Sequence, residues 1–148
     1  MNYLDLADRM WPVLNRVMKG HVAAYRLTGG LVGHRFPFLP PMLLLEHVGA
    51  RSGKRRTVPL VYLHDGDDYV IVASKGGNPR NPSWFHNLRA NPETTIQVGS
   101  ERLPVRARVA SPQKRTHLWP KVVEHYGGYG EYQERTERKI PLMILEPR

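Results

Sequence analysis

From Met42 onward the apolar residues fall in short runs separated by turn residues, and this spacing limits the fold more than any other feature. The runs cover about 42–48, 56–63, 68–74, 94–99, 102–110 and 140–146, each of strand rather than helix length. His64-Asp65-Gly66-Asp67 joins the second run to the third as a hairpin turn, and Gly99-Ser100 joins the fourth to the fifth. In the fifth, Arg102, Arg106 and Arg108 alternate with Leu103, Val105, Ala107 and Val109, so one face is wet. Consecutive hairpins without a βαβ rhythm argue against a doubly wound sheet. They predict a mainly β, α+β protein: an antiparallel barrel of about six strands with helices packed outside.

Helical patterns flank and interrupt these runs. Leu4, Leu6, Met10, Val13, Leu14, Val17, Met18 and Val22 recur at helical spacing over 3–26. Pro12 marks a second place where that helix can start, and Gly29-Gly30 stops it. Arg9, Arg16 and Lys19 lie on its other face. Such a helix suits packing on a core, or lying on a membrane surface with Trp11 at the boundary. A loop with Pro37, Pro40 and Pro41 follows. Asn81-Pro82 reads as an N-cap and first helical residue for a helix to about Ala90. Ser111-Pro112 starts another, which Trp119-Pro120 should kink or split before Gly127-Gly128 ends it. The 148 residues read as one domain, with the amphipathic helix in 1–30 and the barrel core in 42–148.

Between the first two runs lies Arg51-Ser52-Gly53-Lys54-Arg55-Arg56, in which four of six residues are basic. A basic turn held by two strands is a rigid anion grip, because Arg offers a planar fork of donors and Lys a point charge. The chain as a whole has 22 Lys and Arg against 13 Asp and Glu, a formal charge of +9, which favours polyanionic partners. Cysteine is absent, which excludes a disulfide framework and fits a reducing cytoplasm. Neither a secretory signal nor a run of roughly 20 apolar residues is present.

Two further segments suit a ligand. Ala73-Ser74-Lys75-Gly76-Gly77-Asn78-Pro79 ends a strand with small residues that let backbone N–H groups approach a bound group. Tyr126, Tyr129 and Tyr132, spaced by three among glycines, form an aromatic, mobile segment able to wall a flat ligand or to pack on the barrel. Trp84 and Leu88 suit a core, and Asn87 could face the same cleft as Ser74. The seven histidines are scattered without a HExxH pattern, so no metal site is expected; GxSxG is also missing, which leaves a hydrolase triad unsupported.

In this order along the chain, Gly49-Ala50-Arg51-Ser52-Gly53-Lys54, Arg56-Thr57-Val58-Pro59-Leu60, Val72-Ala73-Ser74-Lys75-Gly76-Gly77, Asn81 to Leu88, Ala90-Asn91-Pro92, Tyr126 to Tyr132, and Ile140-Pro141 through Glu146-Pro147 resemble the deazaflavin-dependent nitroreductase family of actinobacteria. The resemblance implies a split β-barrel and reduced coenzyme F420 as hydride donor. F420 carries a phosphate and an oligoglutamate tail, the kind of anion a basic turn would grip. By likeness, the phosphate and tail lie along Arg51, Ser52 and Arg56, with Ala50 lining the turn and Lys54 and Arg55 as further partners. Thr57, Val58, Pro59, Leu60 and Val61, with Val72, Ala73, Ser74 and Lys75, line the cofactor groove. Ser83, Trp84, Phe85, His86 and Asn87 close it from the helix side. Tyr129 flanks the ring, Tyr126 and Tyr132 shape the substrate pocket, and Ser74 or a tyrosine hydroxyl hydrogen-bonds the acceptor. Ala50 stands where relatives often have a basic residue, and Val61 where an aromatic is frequent.

The expected acceptor is a small molecule: a quinone, an enone or a nitroaromatic. The expected assembly is a cytoplasmic monomer or homodimer, whose N-terminal helix either packs on the core or touches the inner face of the membrane. The same barrel could instead bind FMN or haem, or carry F420 without catalysis. Nucleic acid is disfavoured, because the basic residues are spread out and no strand carries an RRM-like aromatic motif.

Overall fold

The computed structural model describes residues 9–35 and 40–148. The expected N-terminal positions Leu4 and Leu6, and Pro37 of the following loop, lie outside the described residues. The elements run α1 (Trp11–Thr28), β1 (Met42–Val48), β2 (Arg55–Val61), β3 (Leu63–Asp65), β4 (Asp68–Val72), a 3-10 turn (Lys75–Gly77), α2 (Ser83–Ala90), β5 (Glu93–Val98), β6 (Glu101–Val109), α3 (Pro112–His125), α4 (Gly128–Glu134) and β7 (Leu142–Pro147). The strands form one sheet in the order β2-β1-β5-β6-β7-β4-β3, and every pairing is antiparallel. The sheet curls until its β2 edge comes back against β4. Pro59, which has no N–H to offer a ladder, sits on that edge strand β2.

Strand alternation builds two cores. Leu43 and Leu45 of β1, Ile71 of β4, Ile96 of β5, Val105 and Ala107 of β6 and Met143 and Leu145 of β7 point inside the curl, where Trp84, Phe85 and Leu88 of α2 fill the remaining space. Val70 and Val72 of β4 with Leu142 and Ile144 of β7 point outward, under Leu118 and Val122 of α3 and Tyr129 of α4. Strands β4 and β7 are therefore buried on both faces. Helix α1 docks through Tyr25, which is fully buried and placed to donate to the carbonyl of Met42 or Gln97 while accepting from the Gly99 N–H at 2.8 Å.

Several local expectations change. The second run breaks at Tyr62, where the chain stops pairing with β1 and begins to pair with β4, so it yields β2 and the short β3. The third ends at Val72, after which the chain enters the 3-10 turn. The helix near Asn81 begins at Ser83, with Pro82 in the capping position, because the Asn81 side chain is engaged by Arg138 instead. Pro120 lies inside α3 without splitting it. The segment Tyr126–Tyr132 is not wholly a loop: Gly128 opens α4. Val109 lies outside the core, 41% exposed, where alternation placed it inside. Ser111 caps α3 as expected, its hydroxyl accepting from the Lys114 N–H at 3.1 Å.

Candidate active site

The basic turn closes on itself through the Gly49 N–H to Lys54 carbonyl bond at 2.9 Å and the Gly53 N–H to Gly49 carbonyl bond at 2.9 Å. Its position against α2 is set by Asn87. The Asn87 carboxamide oxygen accepts from the Ala50 N–H at 2.9 Å, and its nitrogen lies 2.9 Å from His47 Nδ1. With the amide donating, Nδ1 must be an acceptor, so the ring is neutral with its proton on Nε2. Burial, reinforced by the charge of Arg56, pushes the His47 pKa down to about 4, in agreement with that hydrogen bond. Asn87 is itself buried, so it braces the turn from within.

Arg51, Lys54, Arg55 and Arg56 are exposed, and no carboxylate pairs with any of them among the described residues. Beside them opens a cavity of about 500 Å³, lined by His47, Arg55, Arg56, Thr57, Arg26 and Arg148 among others. Its two acidic neighbours are already neutralised: Glu46 by Arg26 at 3.2 Å and Arg102 at 2.6 Å, Glu93 by Arg106 at 3.6 Å and Arg148 at 3.4 Å. The turn therefore offers unspent positive charge.

At the other end of α2, a helix about 12 Å long, lies the strand-end turn. Lys75, Gly76 and Gly77 take φ of 45°, 63° and 81° in succession, with Lys75 as the non-glycine in the left-handed region. A Cβ on Gly77 would stand 2.7 Å from the Tyr132 carbonyl oxygen, so α4 packs directly on this turn. Ser74 is buried, and its carbonyl accepts from Arg138 at 2.8 Å. Tyr126, Tyr129 and Tyr132 meet edge-to-face with centroids 5.1, 6.1 and 6.4 Å apart. Tyr129 is the most enclosed of the three, and burial, with lesser contributions from the two neighbouring phenols, pushes its pKa upward. A phenol in that state is a hydrogen-bond donor through the neutral range.

The residues singled out in sequence thus separate into groups. The turn that follows Ser74 and begins with Lys75 packs on α4 at Tyr132; Tyr126, Tyr129 and Tyr132 cluster with one another, and Val61 packs against the tyrosine side of the barrel wall. Trp84 and Phe85 are each 5% exposed and lie in the inner core, whereas Ser83 and His86 on the same helix are exposed. Val58 and Leu60 pack on the inner core, and Pro59 is buried. His47 and Arg138 were not singled out. The inward position of His47, in step with Leu43 and Leu45, was a signal for it; nothing local marks Arg138. Among the described residues no group of three His, Asp or Glu is placed to hold a metal ion.

A family model described as F420H(2)-dependent quinone reductase matches residues 17–147. The chain belongs to that family. It is 46% identical over 136 residues to an F420H(2)-dependent quinone reductase of Mycobacterium tuberculosis, covering 90% of this chain and 91% of that one. An F420-H2 dependent reductase of solved structure, FDR-A, superposes with a TM-score of 0.66 at 45% identity, covering 72% of this chain and 94% of that one. A domain-swapped dimer superposes at 0.68 and 38% identity, covering 91% and 98%. The haem storage protein HutZ of Vibrio cholerae, only 14% identical, shares the fold at 0.55 over 72% of this chain and 81% of its own. Membership in the family makes this chain an F420-dependent reductase with a split barrel, and reduced F420 its hydride donor.

Proposed function

We propose that this reductase holds F420H2 between the basic turn and the Ser74–Gly77 turn and reduces a quinone placed against the tyrosines. The observation that carries the reading is the set of four cations on one braced turn with no acidic partner among the described residues. A phosphodiester and glutamate carboxylates fit that donor set. Arg51 and Arg56, helped by Ser52, hold the phosphate; Lys54 and Arg55 meet the tail. The Thr57–Val61 edge and the Val72–Lys75 segment form the groove, and Asn87 acts through Ala50 rather than by touching the cofactor.

When bound, the deazaflavin supplies a hydride. The protein orients the acceptor for it and stabilises the negative oxygen that a reduced quinone first carries. Ser74 Oγ and the tyrosine hydroxyls are the donors for that oxygen, and solvent provides the proton. Enones and nitroaromatics present similar electrophilic centres and are proposed as further acceptors.

The exposed Met10 at the N-cap and Trp11, Val13, Leu14 and Val17 on α1, beside Arg9, Arg16 and Lys19, fit a peripheral lipid contact that would bring a lipid-soluble quinone near. Among the described residues no helix is long and apolar enough to cross a membrane. Sedimentation with anionic liposomes tests this contact; protein left in the supernatant rejects it.

The function itself is tested by mixing the protein with F420H2 and a soluble naphthoquinone and following the return of oxidised F420. Wild-type protein should reoxidise F420H2 with quinone-dependent turnover. Tyr132→Phe and Ser74→Ala should lower turnover more than cofactor affinity. No quinone-dependent reoxidation rejects the acceptor, and unchanged turnover in both variants rejects the assigned donors.

A further inference from the structure

We propose that Arg138 is a positioning residue that clamps the Ser74–Asn81 segment into the shape in which it meets the cofactor. The inference rests on the cofactor reading above. The Arg138 guanidinium spends three nitrogens on this one segment: Nε donates to the Asn78 carbonyl at 2.9 Å, Nη1 to Asn81 Oδ1 at 2.8 Å and Nη2 to the Ser74 carbonyl at 2.8 Å. Three diverging oxygens require a planar fork, which a lysine ammonium cannot reproduce.

The segment needs such a clamp because its backbone is costly. Lys75, Gly76 and Gly77 are all left-handed, and a lysine there is disfavoured by the clash of its Cβ with backbone. Because the Ser74 carbonyl faces Arg138, the planar trans peptide turns the Lys75 N–H to the opposite side, away from the guanidinium. The clamp thereby fixes which way this donor points.

Arg138 is itself anchored. Its carbonyl accepts from Gln133 Nε2 at 2.7 Å, and Gln133 Oε1 accepts from Arg115 Nη2 at 3.0 Å and from the Ile140 N–H at 3.0 Å. Arg115 is buried, donates to the Ile140 carbonyl at 2.8 Å and lies over the Trp119 ring. The clamp thus ties the strand-end turn to the end of α4 and to α3. No carboxylate pairs with Arg138 among the described residues, so its donors go to neutral oxygens of the segment.

Arg138→Lys keeps the charge and removes the fork. The expected result is an F420 Kd raised about tenfold, the size of one lost charge-assisted hydrogen bond, with the salt dependence of binding unchanged. In the apo-protein, amide exchange at Gly77 and Asn78 should quicken about tenfold while exchange in β1 and β5 stays as in wild type. Wild-type affinity with wild-type exchange in Arg138→Lys overturns the proposal. Arg138→Gln flattening the salt dependence also overturns it, by making Arg138 a direct anion contact. Quickened exchange across the whole barrel overturns it as well, in favour of a general stabilising role. If Arg138→Lys does not fold, Asn81→Ala removes one of the three clamped oxygens and should show the same local exchange at smaller amplitude; no change there overturns the clamp. Wild-type protein that fails to bind F420 removes the cofactor reading, while the exchange experiment still decides the clamp.

Discussion

Acid should loosen the basic turn through His47, and the size of the effect follows from its surroundings. The ring is buried, accepts a hydrogen bond from Asn87 at Nδ1 and has a folded-state pKa of about 4, set first by burial and then by Arg56. In the unfolded chain it titrates near 6.5. The depressed value means that the unfolded chain binds the proton first as pH falls. His47 therefore costs nothing above about pH 6.5, and stability is lost steadily between there and pH 4. At about 1.4 kcal/mol per pH unit this amounts to roughly 3 kcal/mol, or ~1–2 M in a urea midpoint. The assay is urea unfolding of wild type and His47→Gln from pH 7 to pH 4. Carboxylates titrate in both proteins, so the difference between the two carries the His47 contribution. Wild type should lose about 3 kcal/mol more than His47→Gln over that range. Parallel curves would refute the buried neutral imidazole and, with it, the account of how Asn87 holds the turn.

Other perturbations have equally definite outcomes. Tyr25→Phe leaves the Gly99 N–H without its 2.8 Å acceptor and should cost about 1–3 kcal/mol; thermal unfolding unchanged from wild type would count against α1 docking in this way. Gly77→Ala forces a Cβ to 2.7 Å from the Tyr132 carbonyl at a φ of 81° and should destabilise by ~2 kcal/mol or more. Gly53→Ala, with φ 67° and nothing within 4 Å of the added carbon, should cost only ~1–2 kcal/mol from backbone strain, so equal losses would contradict the close packing of α4. Arg51→Ala should weaken F420 binding most at low salt and flatten its salt dependence; an affinity equal to wild type at every salt concentration would remove Arg51 from the phosphate site.

Much of the fold was legible because the decisive signals are local. Strand β1 matched the expected run residue for residue, and the Gly99-Ser100 turn sits where the sequence placed it. Where the reading slipped, a distant partner won. Asn81 has the chemistry of an N-cap, but Arg138, 57 residues later, takes its side chain, so α2 starts at Ser83. Tyr62 looked like one more strand residue, and its ring does face the inner core with Val58 and Leu60, but the chain changes partner there, from β1 up to Val61 to β4 from Leu63, so one expected strand became two. The glycines around Tyr129 suggested a loop, but burial of that ring against α3 and β4 favours a helical turn there. The site divides in the same way. The basic turn and the Ser74–Gly77 turn are contiguous in sequence and could be read directly, whereas the side chains that hold them, His47, Asn87 and Arg138, take their roles from contacts across the fold.

The most direct test of the central claim is a titration of the purified apo-protein with F420 and, separately, with FMN, following the quenching of each cofactor's fluorescence. The account predicts saturable binding of F420 that weakens as salt rises, with FMN bound far more weakly because it lacks the glutamate tail that meets the basic turn. Equal or tighter binding of FMN, or F420 binding indifferent to salt, would contradict it.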